Sequence, residues 1–137
     1  MLDLDDEVLA VARQWTEKAE NDLKNAAHTV KLKTDCPTDT VCFHVQQCVE
    51  KYLKALLVLN GIDFPRTPQI SVLLALVPTP VRPTLTQAEQ DRLTEYAVTT
   101  RYPGDYDPIS REEAQEAVQL ARRFRNQVRR RLPEAIR

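Results

Sequence analysis

Glycine is almost missing from this chain: only Gly61 and Gly104 occur in 137 residues. So few turn-formers argue against an all-β fold, and two isolated glycines cannot build a phosphate-cradling loop. Histidine is equally rare. His28 and His44 are too far apart for a His-x-x-x-His metal motif, and no Ser/His/Asp pattern exists. Cys36, Cys42 and Cys48 are odd in number and lack a C-x-x-C pair, so they read as small core hydrophobes rather than zinc ligands. The expectation is no metal and no cofactor. No apolar run approaches the roughly 20 residues of a membrane span, and residues 2–10 are too acidic for a signal peptide. A cytoplasmic protein is expected. With a net charge of −1, nothing global draws the chain to nucleic acid or to an acidic membrane.

What is present is helical periodicity. Hydrophobic residues make up 42% of the chain, enough for one domain over residues 1–137 with its core at about 7–132. Residues 6–33 carry Ala12, Thr16, Ala19, Leu23, Ala26 and Val30 at helical spacing, with Trp15 beside them and no Gly or Pro. They predict a helix on the order of 40 Å long. Pro37 breaks it. A second helix over residues 40–60 ends at Gly61, placed as a left-handed cap. Thr67 and Pro68 then predict an N-cap and first helical residue for a short helix carrying Ile70, Leu73, Leu74 and Val77. Thr86–Glu89 and Ser110–Glu113 have capping-box spacing. They open a helix to about Thr100 and a last helix with the stripe Ala114, Ala117, Val118, Ala121, Phe124, Val128 and Leu132. No strand-like alternation appears. The fold class is all-α: an up-and-down four-helix bundle with one additional short helix.

The second helix is the most informative. Val41, Val45, Cys48, Tyr52, Ala55, Leu56 and Leu59 form its apolar face, and His44, Gln47 and Lys51 share one edge. Gln46, Glu50 and Lys54 are expected to point away from the core, with Glu50 and Lys54 as an i,i+4 pair. Phe43 lies on the otherwise polar side, which predicts a surface completed by a second copy of the chain.

Two other regions carry chemistry. Arg101 is placed at a helix end, and Tyr102, Asp105, Tyr106 and Asp107 crowd a Pro-Gly loop after it, a usual location for function. Arg122, Arg125 and Arg129 share one side of the last helix, with Arg123 and Arg130 on another. Without interleaved aromatic residues these arginines read as a solvated face rather than an RNA strip.

The series Trp15, Ala19, Asp22-Leu23 and Ala26, then Phe43-His44-x-Gln46-Gln47-x-x-Glu50-Lys51-x-Leu53-Lys54-Ala55-Leu56-Leu57, resembles a HEPN domain. Gly61, Thr67 and Arg101-Tyr102-Pro103 continue the match in order, across nearly the whole chain. The resemblance implies a helical bundle that pairs as a homodimer, with its polar site near the dimer interface. It also implies a minimal nucleotidyltransferase as partner, often in a toxin–antitoxin pair. Catalytic members of the family are metal-independent ribonucleases that use Arg, four to six residues, then His. Here Arg101 matches the arginine but no histidine follows it. Tyr106 stands in the corresponding region, and a phenol of ordinary pKa near 10 is a poor base at neutral pH. The resemblance therefore points to a nucleotide- or RNA-associated binding module with ligand-binding residues Arg101, Tyr102, Asp105, Tyr106, His44, Gln47 and Lys51. The alternatives are a ribonuclease toxin using Arg101 with His44 or Tyr106 as catalytic residues, or a purely structural oligomerisation domain.

Overall fold

The computed structural model describes residues 5–98 and 107–137. Among these residues five α-helices run in chain order: α1 (Asp6–Thr29), α2 (Thr38–Leu59), α3 (Ile70–Leu76), α4 (Gln87–Tyr96) and α5 (Arg111–Arg129). Two single turns of 3₁₀ helix, Thr79–Val81 and Glu134–Ile136, complete the regular structure, and no strand occurs among the described residues. The chain is an all-α bundle of four main helices and one short one.

Each helix begins and ends for local reasons. Asp5 caps α1 by accepting from the Val8 amide at 2.7 Å, and Asp6 and Glu7 complement the positive end of the helix dipole. The helix stops at Thr29 rather than near Lys33, because Lys31 and Leu32 turn their amides back to His28 and Thr29 in tighter bonds. Arg111 then covers that end, donating to the Val30 and Lys33 carbonyls at 3.2 and 3.1 Å. At the end of α2, Gly61 adopts φ +67°, while Ile62 donates to Leu57 and Gly61 to Val58. That pair of bonds is a Schellman cap, which satisfies carbonyls the helix would otherwise leave open.

Sequence spacing misplaced the start of α3. The helix begins at Ile70 with Gln69 as its cap residue, and Thr67 only accepts from the Gln69 amide at 3.1 Å. The Ile70 amide is taken instead by the Thr94 hydroxyl at 3.2 Å, a cap supplied by α4. The Thr86–Glu89 capping box is fully formed. That helix ends at Tyr96, short of the expected Thr100. Ser110 caps α5, but the Glu113 carboxylate turns to the Tyr96 hydroxyl at 2.6 Å and so ties α5 to α4.

The organising element is α2. It packs on α1, α3, α4 and α5, whereas α1 and α5 meet each other only sparsely. Between Val41 and Leu59 only Phe43, His44, Gln47, Lys51, Lys54 and Val58 are not buried. A helix covered on nearly all sides is a core helix rather than a surface one. For this reason Gln46 and Glu50 do not point to solvent as expected: Gln46 is fully buried and Glu50 is 9% exposed.

Candidate functional site

The half-exposed stripe of α2 lies against α1, and the two helices are joined there by a carboxylate. Asp22 sits on the buried side of α1 among Ala19, Leu23 and Ala26. Its Oδ1 meets His44 Nδ1 at 2.8 Å and its Oδ2 accepts from Lys51 Nζ at 2.5 Å. The three side chains are 10%, 28% and 21% exposed, so this is a partly desolvated cluster in which charge-assisted bonds are strong. Helical spacing produces it: His44 and Lys51 stand two turns apart on α2, and Asp22 lies opposite them.

A second chain of polar contacts runs beside the first. Gln47 Nε2 donates to Gln46 Oε1 at 2.7 Å, Gln46 Nε2 donates to Glu50 Oε1 at 3.5 Å, and Lys54 pairs with Glu50 at 3.5 Å. The Lys54 ammonium also stands 5.0 Å from the Trp15 ring centre and 5.8 Å from that of Phe64, within cation–π range. Phe43 meets His44 edge to face at 5.8 Å. His44, Gln47 and Lys51, three of the expected ligand-binding residues, are therefore brought together. Arg101, Tyr102, Asp105 and Tyr106 lie outside the described residues.

Across α1, a different network closes the other flank. Glu20 Oε1 accepts from the Tyr52 hydroxyl and from Arg125 Nε, each at 2.5 Å. Burial raises the Tyr52 phenol well above its usual range, and the Glu20 carboxylate beside it pushes in the same direction. For Arg125, burial works against the charge, but the Glu20 hydrogen bond and charge outweigh it and hold the guanidinium ionised. Arg125 is thus anchored rather than solvated as expected, and Arg123 pairs with Glu89.

Two of the cysteines, Cys42 and Cys48, are inert by environment. Burial pushes the Cys42 thiol up to about 12 and raises Cys48 further, so neither is a thiolate nucleophile near neutral pH. Among the described residues no three His, Cys, Asp or Glu side chains are grouped to hold a metal ion.

Sequence reasoning gave Asp22 no role, although the signal was present. A carboxylate on the alanine-rich face of a long helix is buried, and a buried carboxylate needs partners. Glu20 and Tyr52 carried no comparable signal, since one reads as surface and the other as core.

Residues 12–131 match the HEPN domain. The chain belongs to the HEPN domain family. Two solved structures share its fold closely. TT1696 from Thermus thermophilus has a TM-score of 0.70 and 29% identity, over 88% of this chain and 98% of that one. ST0689, described as an archaeal HEPN homologue, has a TM-score of 0.65 and 28% identity, over 88% and 96%. A Methanocaldococcus jannaschii protein bearing the name "Putative toxin MJ1304" is 51% identical over 55 residues. That match covers 40% of this HEPN chain and 34% of the relative, so it spans only about a third of the relative's length. No helix among the described residues is long and apolar enough to cross a membrane.

Proposed function

We propose that this HEPN domain works as a dimeric nucleotide- or RNA-associated binding module. Its partner is a separately encoded minimal nucleotidyltransferase in a toxin–antitoxin-like pair. The observation that carries this reading is the Asp22–His44–Lys51 cluster on the half-exposed stripe of α2. Packing alone does not require two basic side chains and a carboxylate at a helix seam. Asp22 occupies one donor of Lys51 and the Nδ1 of His44, which leaves further Lys51 donors for phosphate oxygens and the His44 Nε2 as an acceptor for a donor on a base edge. Gln47 adds an amide, and Phe43 and Val58 add apolar surface for a second copy. The toxin name of the archaeal relative supports the toxin–antitoxin part of this reading alone.

The test is co-purification from the native host, with sedimentation of the purified chain. The expected result is a dimer that carries a nucleotidyltransferase and binds ATP or short RNA. A monomer at micromolar concentration with neither ligand nor partner would sink the reading.

The His44–Asp22 contact favours one second reading, a metal-independent ribonuclease. With Nδ1 held by a carboxylate, the neutral ring presents Nε2 as a base. It would take the proton of an RNA 2′-hydroxyl while that oxygen attacks the adjacent phosphorus, and the 5′-oxygen leaves taking a proton from water. The products are a 2′,3′-cyclic phosphate and a 5′-hydroxyl. RNA incubated with the protein in excess EDTA decides the matter. Cyclic-phosphate ends that vanish in His44→Ala establish cleavage, and intact RNA removes this reading.

A further inference from the structure

Two buried polar side chains of α2 have no task in the packing of the bundle. Gln46 is fully buried and Glu50 is 9% exposed, on a helix whose other buried positions are apolar. Burying an amide and a carboxylate is costly unless both are bonded, and an apolar residue of similar size avoids the cost. Both are bonded here, and only to each other and to the two α2 residues beside them. Lys54 pairs with Glu50 Oε2 at 3.5 Å, Gln46 Nε2 donates to Glu50 Oε1 at 3.5 Å, and Gln47 Nε2 donates to Gln46 Oε1 at 2.7 Å. The line starts under the Trp15 and Phe64 rings, which hold the Lys54 ammonium, and ends at Gln47 on the half-exposed stripe.

This line can run in one direction only. An ammonium has donors alone and a carboxylate acceptors alone, so Glu50 must receive from both neighbours. Gln46 has to turn its NH₂ toward Glu50, because the reversed amide sets oxygen against carboxylate where no water reaches. Its Oε1 then faces Gln47, which must answer with its own NH₂. A glutamine on an open surface turns its amide either way at little cost. Gln47 is denied that choice, and its Oε1 is left without a partner among the described residues.

We infer that Gln46 and Glu50 are positioning residues that hold the Gln47 amide with its oxygen outward, so that the open stripe selects a group carrying an N–H donor. The selection rests on the nucleotide- or RNA-binding role proposed above, whereas the fixed amide is a property of the protein alone. One turn away, His44 turns Nδ1 to Asp22 and presents Nε2 as a second acceptor. Two neighbouring acceptors favour adenine, with its amine, over hypoxanthine, which has a carbonyl oxygen in the amine's place. Glu50→Gln reverses the line without changing its shape. Lys54 claims the oxygen of the new amide, whose NH₂ then requires the Gln46 oxygen, and the Gln46 NH₂ in turn requires the Gln47 oxygen. The outward group of Gln47 becomes NH₂.

Two measurements on the full chain test this. Exchange of the Gln47 side-chain amide protons with water, followed by NMR, should be slow for one proton in wild type and fast for both in Glu50→Gln. Calorimetry with AMP and IMP should give wild type a preference for AMP of about tenfold or more, the effect of one mismatched polar contact. Glu50→Gln should favour IMP instead, and Gln46→Met, which cuts the line, should bind the two within about threefold of each other. A loss of fold alone weakens both nucleotides together and cannot exchange their order. Fast exchange of both Gln47 protons in wild type overturns the proposal, even if neither variant folds. An AMP preference unchanged in a folded Glu50→Gln also overturns it. If wild type binds neither nucleotide, the binding role falls, and the exchange measurement alone decides whether Gln47 is held.

Discussion

Replacing Asp22 by asparagine changes almost no volume and reverses the logic of the cluster. The carboxylate is acceptor-only and faces two donors, His44 Nδ1 and Lys51 Nζ. Asparagine offers one acceptor oxygen and one NH₂ group. An ammonium cannot accept a hydrogen bond, so the amide oxygen must stay with Lys51 and the NH₂ must turn to His44. The neutral imidazole can comply only by moving its proton to Nε2. Asp22→Asn should therefore convert the outward nitrogen of His44 from acceptor to donor. The stability cost follows from the same count: a charge-assisted bond to Lys51 becomes a weaker neutral-acceptor bond, and the His44 bond survives reversed. Because His44 and Lys51 keep 28% and 21% of their side-chain surface, water softens the loss to about 1–3 kcal/mol. Asp22→Ala, which strands both partners, should cost more, about 2–4 kcal/mol after discounting a fully buried pair for that exposure. Urea unfolding gives the energies, and nitrogen chemical shifts of the ring give the tautomer. If Asp22→Asn leaves the tautomer unchanged, or costs under about 0.5 kcal/mol, the carboxylate does not govern His44 and the site argument fails.

Leu56 is 1% exposed on the central helix, so Leu56→Ala should cost about 2–5 kcal/mol in the same urea assay. Arg123→Ala should fall within about 1 kcal/mol of wild type, because that side chain is 58% exposed and water screens its pairing with Glu89. Alkaline pH should destabilise the fold. The Cys42 thiol ionises near 9 when unfolded but only near 12 in the bundle, so the unfolded chain releases its proton first. Stability is then complete below about pH 9 and falls as pH rises toward 12, with the raised Cys48, Tyr52 and Tyr96 acting in the same direction. Thermal midpoints should decline steadily between pH 9 and 11, and a flat profile there would contradict it.

Patterns that depend on near neighbours in the chain were legible. The helical stripes, the Gly61 cap and the Thr86–Glu89 box all follow from interactions within a few residues, and each formed as read. What failed depended on partners distant in sequence. The Ile70 amide found Thr94, and Glu113 left its own cap for Tyr96. Gln46 and Glu50 look like surface residues until the other four helices are seen to surround α2. The candidate site divides the same way. His44, Gln47 and Lys51 were visible as one edge of a helix, while the carboxylate that fixes two of them comes from α1, 22 and 29 residues earlier in the chain.

The burial of α2 on every side but one also limits how this protein can vary. A position packed among four helices tolerates few changes of size, because interiors of this kind lack voids to absorb them. Of the nineteen residues in 41–59, only the six along the open stripe escape that restriction. Substitutions at Phe43, Gln47 and Val58 can alter what the surface recognises at little cost to the bundle, whereas changes at His44, Lys51 and Lys54 also take a partner from the largely buried Asp22 or Glu50. A descendant of this sequence acquiring a new ligand or partner through α2 would have to write the change into that one stripe.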